Sequence, residues 1–301
     1  MPGKQPYTIR GDLPRFRPTS PGEDLWLALR DMYVSDSESA YPTLELVDLP
    51  RWLEPPGPFA ERHIDVAVTT TAYRLLKTAK RVQKEAALDG EATRSSAGQS
   101  LVEDHVWRHM VEHMEFAALD PRPRRVLPYL VYRSLLAGNA DIGTQARATT
   151  LHEAQDPIDS QVRCYCCGDT LWSPDFETPL REISLDHIWP RTLGGISTPD
   201  NLLPICAPCN GAKEDRASWS VFGVVFDHAL SERGGHDEER LLGLALHRRA
   251  AGALATSEYL TLKEAFVKLG PRTDVELIDE AVDRHFFNFR AHDAEKFSFT
   301  E

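Results

Sequence analysis

The chain is short of positive charge. Its 34 Lys and Arg stand against 46 Asp and Glu, which gives a formal net charge of −12 at pH 7 and a pI near 5.4. Such a chain does not coat nucleic acid by bulk electrostatics; any polyanion it binds must meet local basic patches, a divalent ion or a partner. Long apolar runs are also missing. No stretch of about 18 apolar residues occurs, so neither a transmembrane helix nor a membrane partner is expected. The opening segment MPGKQPYTIRGDLPRFRP has no apolar h-region, and a cytoplasmic location is the expectation. No internal repeat is visible. Cysteine is scarce, and all 5 lie between Cys164 and Cys209. That clustering excludes a scattered disulfide framework and points to a metal.

What is present is an ordinary globular composition, 42% hydrophobic and 27% charged over 301 residues, enough for two or three substructures. Residues 1–20, rich in Pro and Arg, read as an irregular arm. Residues 21–157 read as a helical N-terminal region. Ser20, Pro21 and Glu23 have the pattern of a capping box, and Leu25, Leu29, Met32 and Tyr33 follow at helical spacing. Residues 36–60, with five prolines from Pro42 to Pro58, read as a connection. Helices are predicted over about 63–87, 100–119 and 126–137. The polar run 89–99 reads as a loop, Pro121–Arg125 as a breaker, and 138–157 as a linker. A zinc-bound unit is placed at 158–218 and a mostly helical region at 219–301. In the latter, Val221–Phe226 suits a short strand, and helices are expected over 238–255, 261–269 and 273–289.

The informative stretch is residues 163–216. Cys164 and Cys167 form one C-x-x-C, and Cys206 and Cys209 another. Four thiolates at this spacing are a structural zinc set, and Gly168 suits the tight turn after the first pair. Bound zinc can stabilise a small unit by roughly 10 kcal/mol or more, which a segment of this size needs because its core is poor. Cys166 is left over; it reads as a small buried filler, although C-Y-C-C leaves open which thiols bind. Ile183–Trp189 reads as a strand stopped by Pro190. Asp186 and His187 are adjacent, so their side chains leave opposite faces of that strand. Gly194-Gly195 supplies a turn, Asn201 opens a second arm, and 207–217 has helical character carrying Cys209, Asn210 and Lys213.

Taken in order, D-H-I-x-P from Asp186, Gly194-Gly195, Asn201-Leu202, C-x-x-C-N ending at Asn210, and Lys213 resemble the HNH endonucleases with a ββα-metal finger. The resemblance covers about 164–216, under a fifth of the chain. It implies a fold that is mainly α with an embedded ββα-metal (HNH) finger, α+β overall. It also implies a metal-dependent phosphodiester hydrolase. His187 would be the general base toward water. Asp186 and Asn210 would hold a catalytic Mg2+ or Mn2+, beside the structural Zn2+ on the cysteines. Asn201 would bond backbone across the loop and fix the base, and Lys213 or Arg216 would meet a phosphate. Asn210 stands at the third signature position, where many relatives have His and others Asn. Its neutral amide suits Mg2+ or Mn2+ better than zinc. The expected substrate is nucleic acid, with DNA preferred. The acidic flanks suit a partner protein, as in an effector of restriction or antiphage defence, and double-strand cleavage would need a homodimer or a partner. The alternative is a zinc-stabilised nucleic-acid or protein binding module without catalysis.

Beyond this unit, Arg74, Lys77, Lys80, Arg81 and Lys84 fall on one helical stripe that could track a nucleic-acid backbone; the plainer reading is a solvated face. Arg122, Arg124 and Arg125 form a weaker basic cluster. His105, His109 and His113 are spaced at one-turn intervals, but no acid completes an H-E-x-x-H motif, so a polar helix face is expected. His285–Arg290 is aromatic, and docking on the protein body is expected over base stacking.

Overall fold

The computed structural model describes residues 15–34, 57–114, 121–173, 183–217 and 238–271. Its helices are α1 (Pro21–Val34), α2 (Gly57–Glu85), α3 (Gly90–Arg94), α4 (Ser96–His113), α5 (Pro121–Gly138), α6 (Thr144–Glu153), α7 (Ala207–Lys213), α8 (Glu238–Glu258) and α9 (Leu262–Leu269). Its strands are β1 (Val162–Arg163), β2 (Thr170–Trp172), β3 (Ser184–His187) and β4 (Leu202–Ile205). The fold is mostly helical, with two small antiparallel hairpins, β1–β2 and β3–β4, in the cysteine-bearing unit. It is α+β with a ββα finger formed by β3, β4 and α7.

Local sequence accounts for the helix starts. At α1 the Ser20 amide donates to Glu23 Oε2 at 2.8 Å, and the Glu23 amide donates to Ser20 Oγ at 3.3 Å. The same reciprocal pair opens α9 through Thr261 and Glu264. Each satisfies amides that the first helical turn leaves without partners.

Four segments depart from the sequence reading. The 89–99 loop is instead helix α3 and the first turn of α4. Asp89 caps the amides of Glu91 and Ala92, and Ser95 caps that of Gly98, so polar residues that suggest a loop serve as caps. Pro121 does not break a helix but opens α5, since proline in a first turn forfeits no hydrogen bond. The 138–157 linker contains α6, whose pattern is weak because it buries only Thr150 and Leu151. Of the 36–60 connection, residues 57–60 are instead the first turn of α2, while 36–56 lie outside the described residues, as do 221–226 read as a strand, 273–289 read as a helix and 285–290 read as an aromatic dock.

Helices α1, α2, α4 and α5 pack on one another around Leu25, Leu29, Val68, Leu75, Val106, Met110, Val131 and Leu135. The same core takes in Ile188, Trp189, Leu193 and Leu203 from the finger and Ala251, Ala255 and Phe266 from α8 and α9. Trp189 is the largest plug, with ring centroids 6.0 Å from Trp26 and 6.4 Å from Phe16. Backbone also meets backbone here. A Cβ on Gly22 of α1 would stand 1.9 Å from Leu193 O, and one on Gly138 of α5 would stand 2.3 Å from Arg191 O. Only glycine permits either approach. The Gly22 amide donates to Gly194 O at 3.2 Å.

Candidate active site and metal centre

The four paired cysteines converge. Cys164 and Cys167 flank the turn between β1 and β2. Gly168 closes that turn at φ 79°, with its amide on Cys164 O at 2.9 Å. Cys206 caps α7 and Cys209 lies in its first turn. The four sulfurs all lie within 4.8 Å of one another, and Cys167 and Cys206 are 3.7 Å apart. A tetrahedron of Zn–S bonds has an edge of about 3.8 Å, so the set fits zinc. Burial pushes the Cys206 thiol up to about 11, a cost that a central cation would reverse. Arg240 donates to Cys209 Sγ at 3.5 Å. Cys166 is buried and stands outside the group. Among the described residues these four are the set placed to share one ion, and the histidines of α4 are not such a set.

β3 and β4 pair with Asp186 opposite Leu203 and His187 opposite Leu202, so Asp186 and His187 leave opposite faces. On the His187 face, Asn201 is the frame. It is 1% exposed. Its Oδ1 accepts from the Trp189 amide at 2.7 Å, and its Nδ2 donates to Trp189 O at 3.0 Å and Ile196 O at 2.9 Å. The loop from 189 to 201 is thereby closed on the end of β3. His187 is partly buried, and its Nε2 is 2.9 Å from Ser197 Oγ. Burial, with the charges of Arg191 and Lys213 adding, lowers its pKa to about 4. The ring is therefore neutral at pH 7, the form in which imidazole accepts a proton.

The Asp186 face is closed. Asp186 is 5% exposed. Its Oδ1 accepts from Lys213 Nζ at 2.8 Å and its Oδ2 from the Tyr165 hydroxyl at 2.7 Å. Lys213 Nζ also donates to His187 O at 2.9 Å. Burial raises the Asp186 pKa, and the adjacent Lys213 opposes that rise. Asn210, on α7, is partly exposed and its carboxamide makes no hydrogen bond to a described residue. An octahedral, largely hydrated Mg2+ needs open space at its carboxylate. With both Asp186 oxygens engaged and an ammonium on one of them, Asp186 and Asn210 do not fit such an ion as they stand.

Lys213 is 2% exposed and points inward, so it has no reach to a substrate phosphate in this arrangement. Arg216 also turns back, donating to Ala212 O at 2.8 Å. Arg74, Lys77, Lys80, Arg81 and Lys84 are all on the exposed face of α2. Sequence reasoning missed Tyr165 and Ser197. The Tyr165 position inside C-Y-C-C was a faint signal, since a tyrosine held between zinc ligands is placed by them. Ser197 carried no signal.

Residues 164–216 match the family model described as HNH endonuclease. The chain thus carries an HNH endonuclease domain over under a fifth of its length. No curated protein and no solved structure matches the chain.

Proposed function

We propose that this HNH domain hydrolyses phosphodiester bonds in DNA, with His187 as the general base toward water. The observation that carries the reading is the neutral, partly buried His187 at the end of β3, held against a loop that Asn201 closes within the family-matched segment. The sequence reading puts a divalent ion on Asp186 and Asn210. Because that pair does not fit an ion while Lys213 holds Asp186, no step is routed through it. The zinc-compatible cysteines stand apart from the chemistry as the staple of β1–β2 to α7.

A single finger has one base and cuts one strand per event, so double-strand cleavage would take a homodimer or a partner. The net charge of −12 favours delivery by a partner protein, as in a defence effector, over free search along DNA. The exposed stripe on α2 is the surface proposed for the nucleic-acid backbone.

The test is cleavage of supercoiled plasmid by wild type and His187→Ala, in Mg2+, Mn2+ or EDTA. Nicking should fall about 10²- to 10⁴-fold in the variant, the range for loss of a general base, and the EDTA arm reports whether an ion takes part. Equal activity in both proteins would overturn the assignment of His187. The buried Asp186–Lys213–Tyr165 cluster favours a second reading, a zinc-stapled binding module. It predicts no nicking by wild type, indifference to His187→Ala, and unfolding of the unit when a cysteine is lost.

A further inference from the structure

The neutral ring of His187 can carry its proton on either nitrogen, and only the bare nitrogen can act as a base. The hydrogen bonds around Ser197 decide between them. Ser197 is 7% exposed. Its Oγ lies 2.7 Å from the carbonyl oxygen of Ala140, in the segment between α5 and α6. A carbonyl can only accept, and a serine hydroxyl has one hydrogen. Ser197 therefore donates to Ala140 and must accept in its 2.9 Å bond with His187 Nε2. The proton of the ring is on Nε2, which leaves Nδ1 with the lone pair. Nδ1 makes no hydrogen bond to a described residue.

We infer that Ser197 is the positioning residue for His187. It fixes the tautomer with Nδ1 as the proton acceptor and ties that choice to the helical body through Ala140. The role of the bare nitrogen rests on the proposed reading of His187 as general base; the tautomer does not. The arrangement has the logic of a base oriented by a third group. Here that group is a hydroxyl anchored outside the finger. The same body segment grips the finger at two further points: Arg191 Nε donates to Gly138 O at 3.2 Å, and Arg191 pairs with Asp141 at 3.0 Å. The 138–141 segment is therefore fixed relative to the ring it aligns.

The deciding measurement is the long-range 1H–15N spectrum of the imidazoles in uniformly labelled full-length protein, with His187 assigned by its loss in His187→Ala. Wild type should show a protonated Nε2 and an unprotonated Nδ1. Ser197→Ala should show both nitrogens averaged between the two forms, and Ser197→Thr, which keeps the hydroxyl, should restore the wild-type pattern. In the nicking assay Ser197→Ala should lower kcat about 10- to 100-fold, the scale of a misplaced catalytic group, with KM little changed. Bound zinc near wild-type content marks the variants as folded. A protonated Nδ1 in wild type, or a pattern unmoved in Ser197→Ala, would overturn the inference. The expected tautomer in a wild type that does not nick would leave the positioning intact and sink the nuclease reading instead.

Discussion

Replacing Asn201 by Ala tests the frame of the site most directly. The side chain is 1% exposed and makes three hydrogen bonds, all to main chain: the Trp189 amide, Trp189 O and Ile196 O. Alanine leaves three buried polar groups without that partner. Each such group costs about 1–3 kcal/mol, and the terms are not fully additive because water can recover part of the loss. A total of about 3–5 kcal/mol is expected, a large share of the ~5–15 kcal/mol that holds a typical domain folded. Asn201→Asp should cost at least as much at neutral pH. It keeps the acceptor but turns two donors into a buried charge facing two carbonyls. The assay is equilibrium urea unfolding, paired with hydrogen exchange at the Trp189 amide, whose acceptor disappears in the alanine variant. A loss under about 1 kcal/mol, or a Trp189 amide as protected as in wild type, would refute the claim that Asn201 closes the loop.

Cys206→Ser should release the metal and, with it, much of the roughly 10 kcal/mol that zinc ligation can contribute; elemental analysis and far-UV circular dichroism with and without chelator would show it. Asp24→Asn should stabilise the protein at high pH only. Burial, with Glu23 adding, raises the Asp24 pKa to about 6. A raised carboxylate favours folding most below its unfolded pKa of 3.8, and that advantage is lost as pH rises through about 6. The asparagine variant should therefore melt higher at pH 8, by about 1–2 kcal/mol after allowance for solvent screening, and match wild type near pH 3.5. If the α2 stripe tracks DNA, Lys77→Ala with Arg81→Ala should flatten the slope of log affinity against log salt by about 2, measured by anisotropy on a labelled duplex. An unchanged slope would return the stripe to a plain solvated face.

Where sequence matched structure, the residues acted on their neighbours. The capping box at Ser20 and Glu23, the strand ahead of Pro190 and the α7 helix after Cys206 all depend on a few adjacent positions. The cysteine set was legible for a related reason: spacing within each pair fixes the knuckle, and only a shared ion gives two knuckles a common purpose. The misses arose where a residue had two uses. Asp89 and Ser95 suit a loop or a cap, and only the helices on either side select the cap. Lys213 looked like a phosphate contact because its partner, Asp186, is 27 residues away in sequence. Ser197 was invisible, since its meaning comes from Ala140, 57 residues earlier. Paired strand neighbours on opposite faces were foreseen for Asp186 and His187; that one face would be filled by Lys213 and Tyr165 was not.

The seam at Gly22 and Gly138 bears on how this finger can be moved or reused. It is not a cartridge that lifts out of one scaffold and clicks into another. A recipient would need two side-chain-free positions where α1 and α5 touch the 191–194 backbone, and a slot shaped for Trp189. Splicing 164–216 into a fusion, or trimming the chain to that segment, would strip the hairpin of its seat while leaving its recognisable motif intact. A fragment that still reads as an HNH finger on paper would then be an unreliable stand-in for the whole chain at the bench.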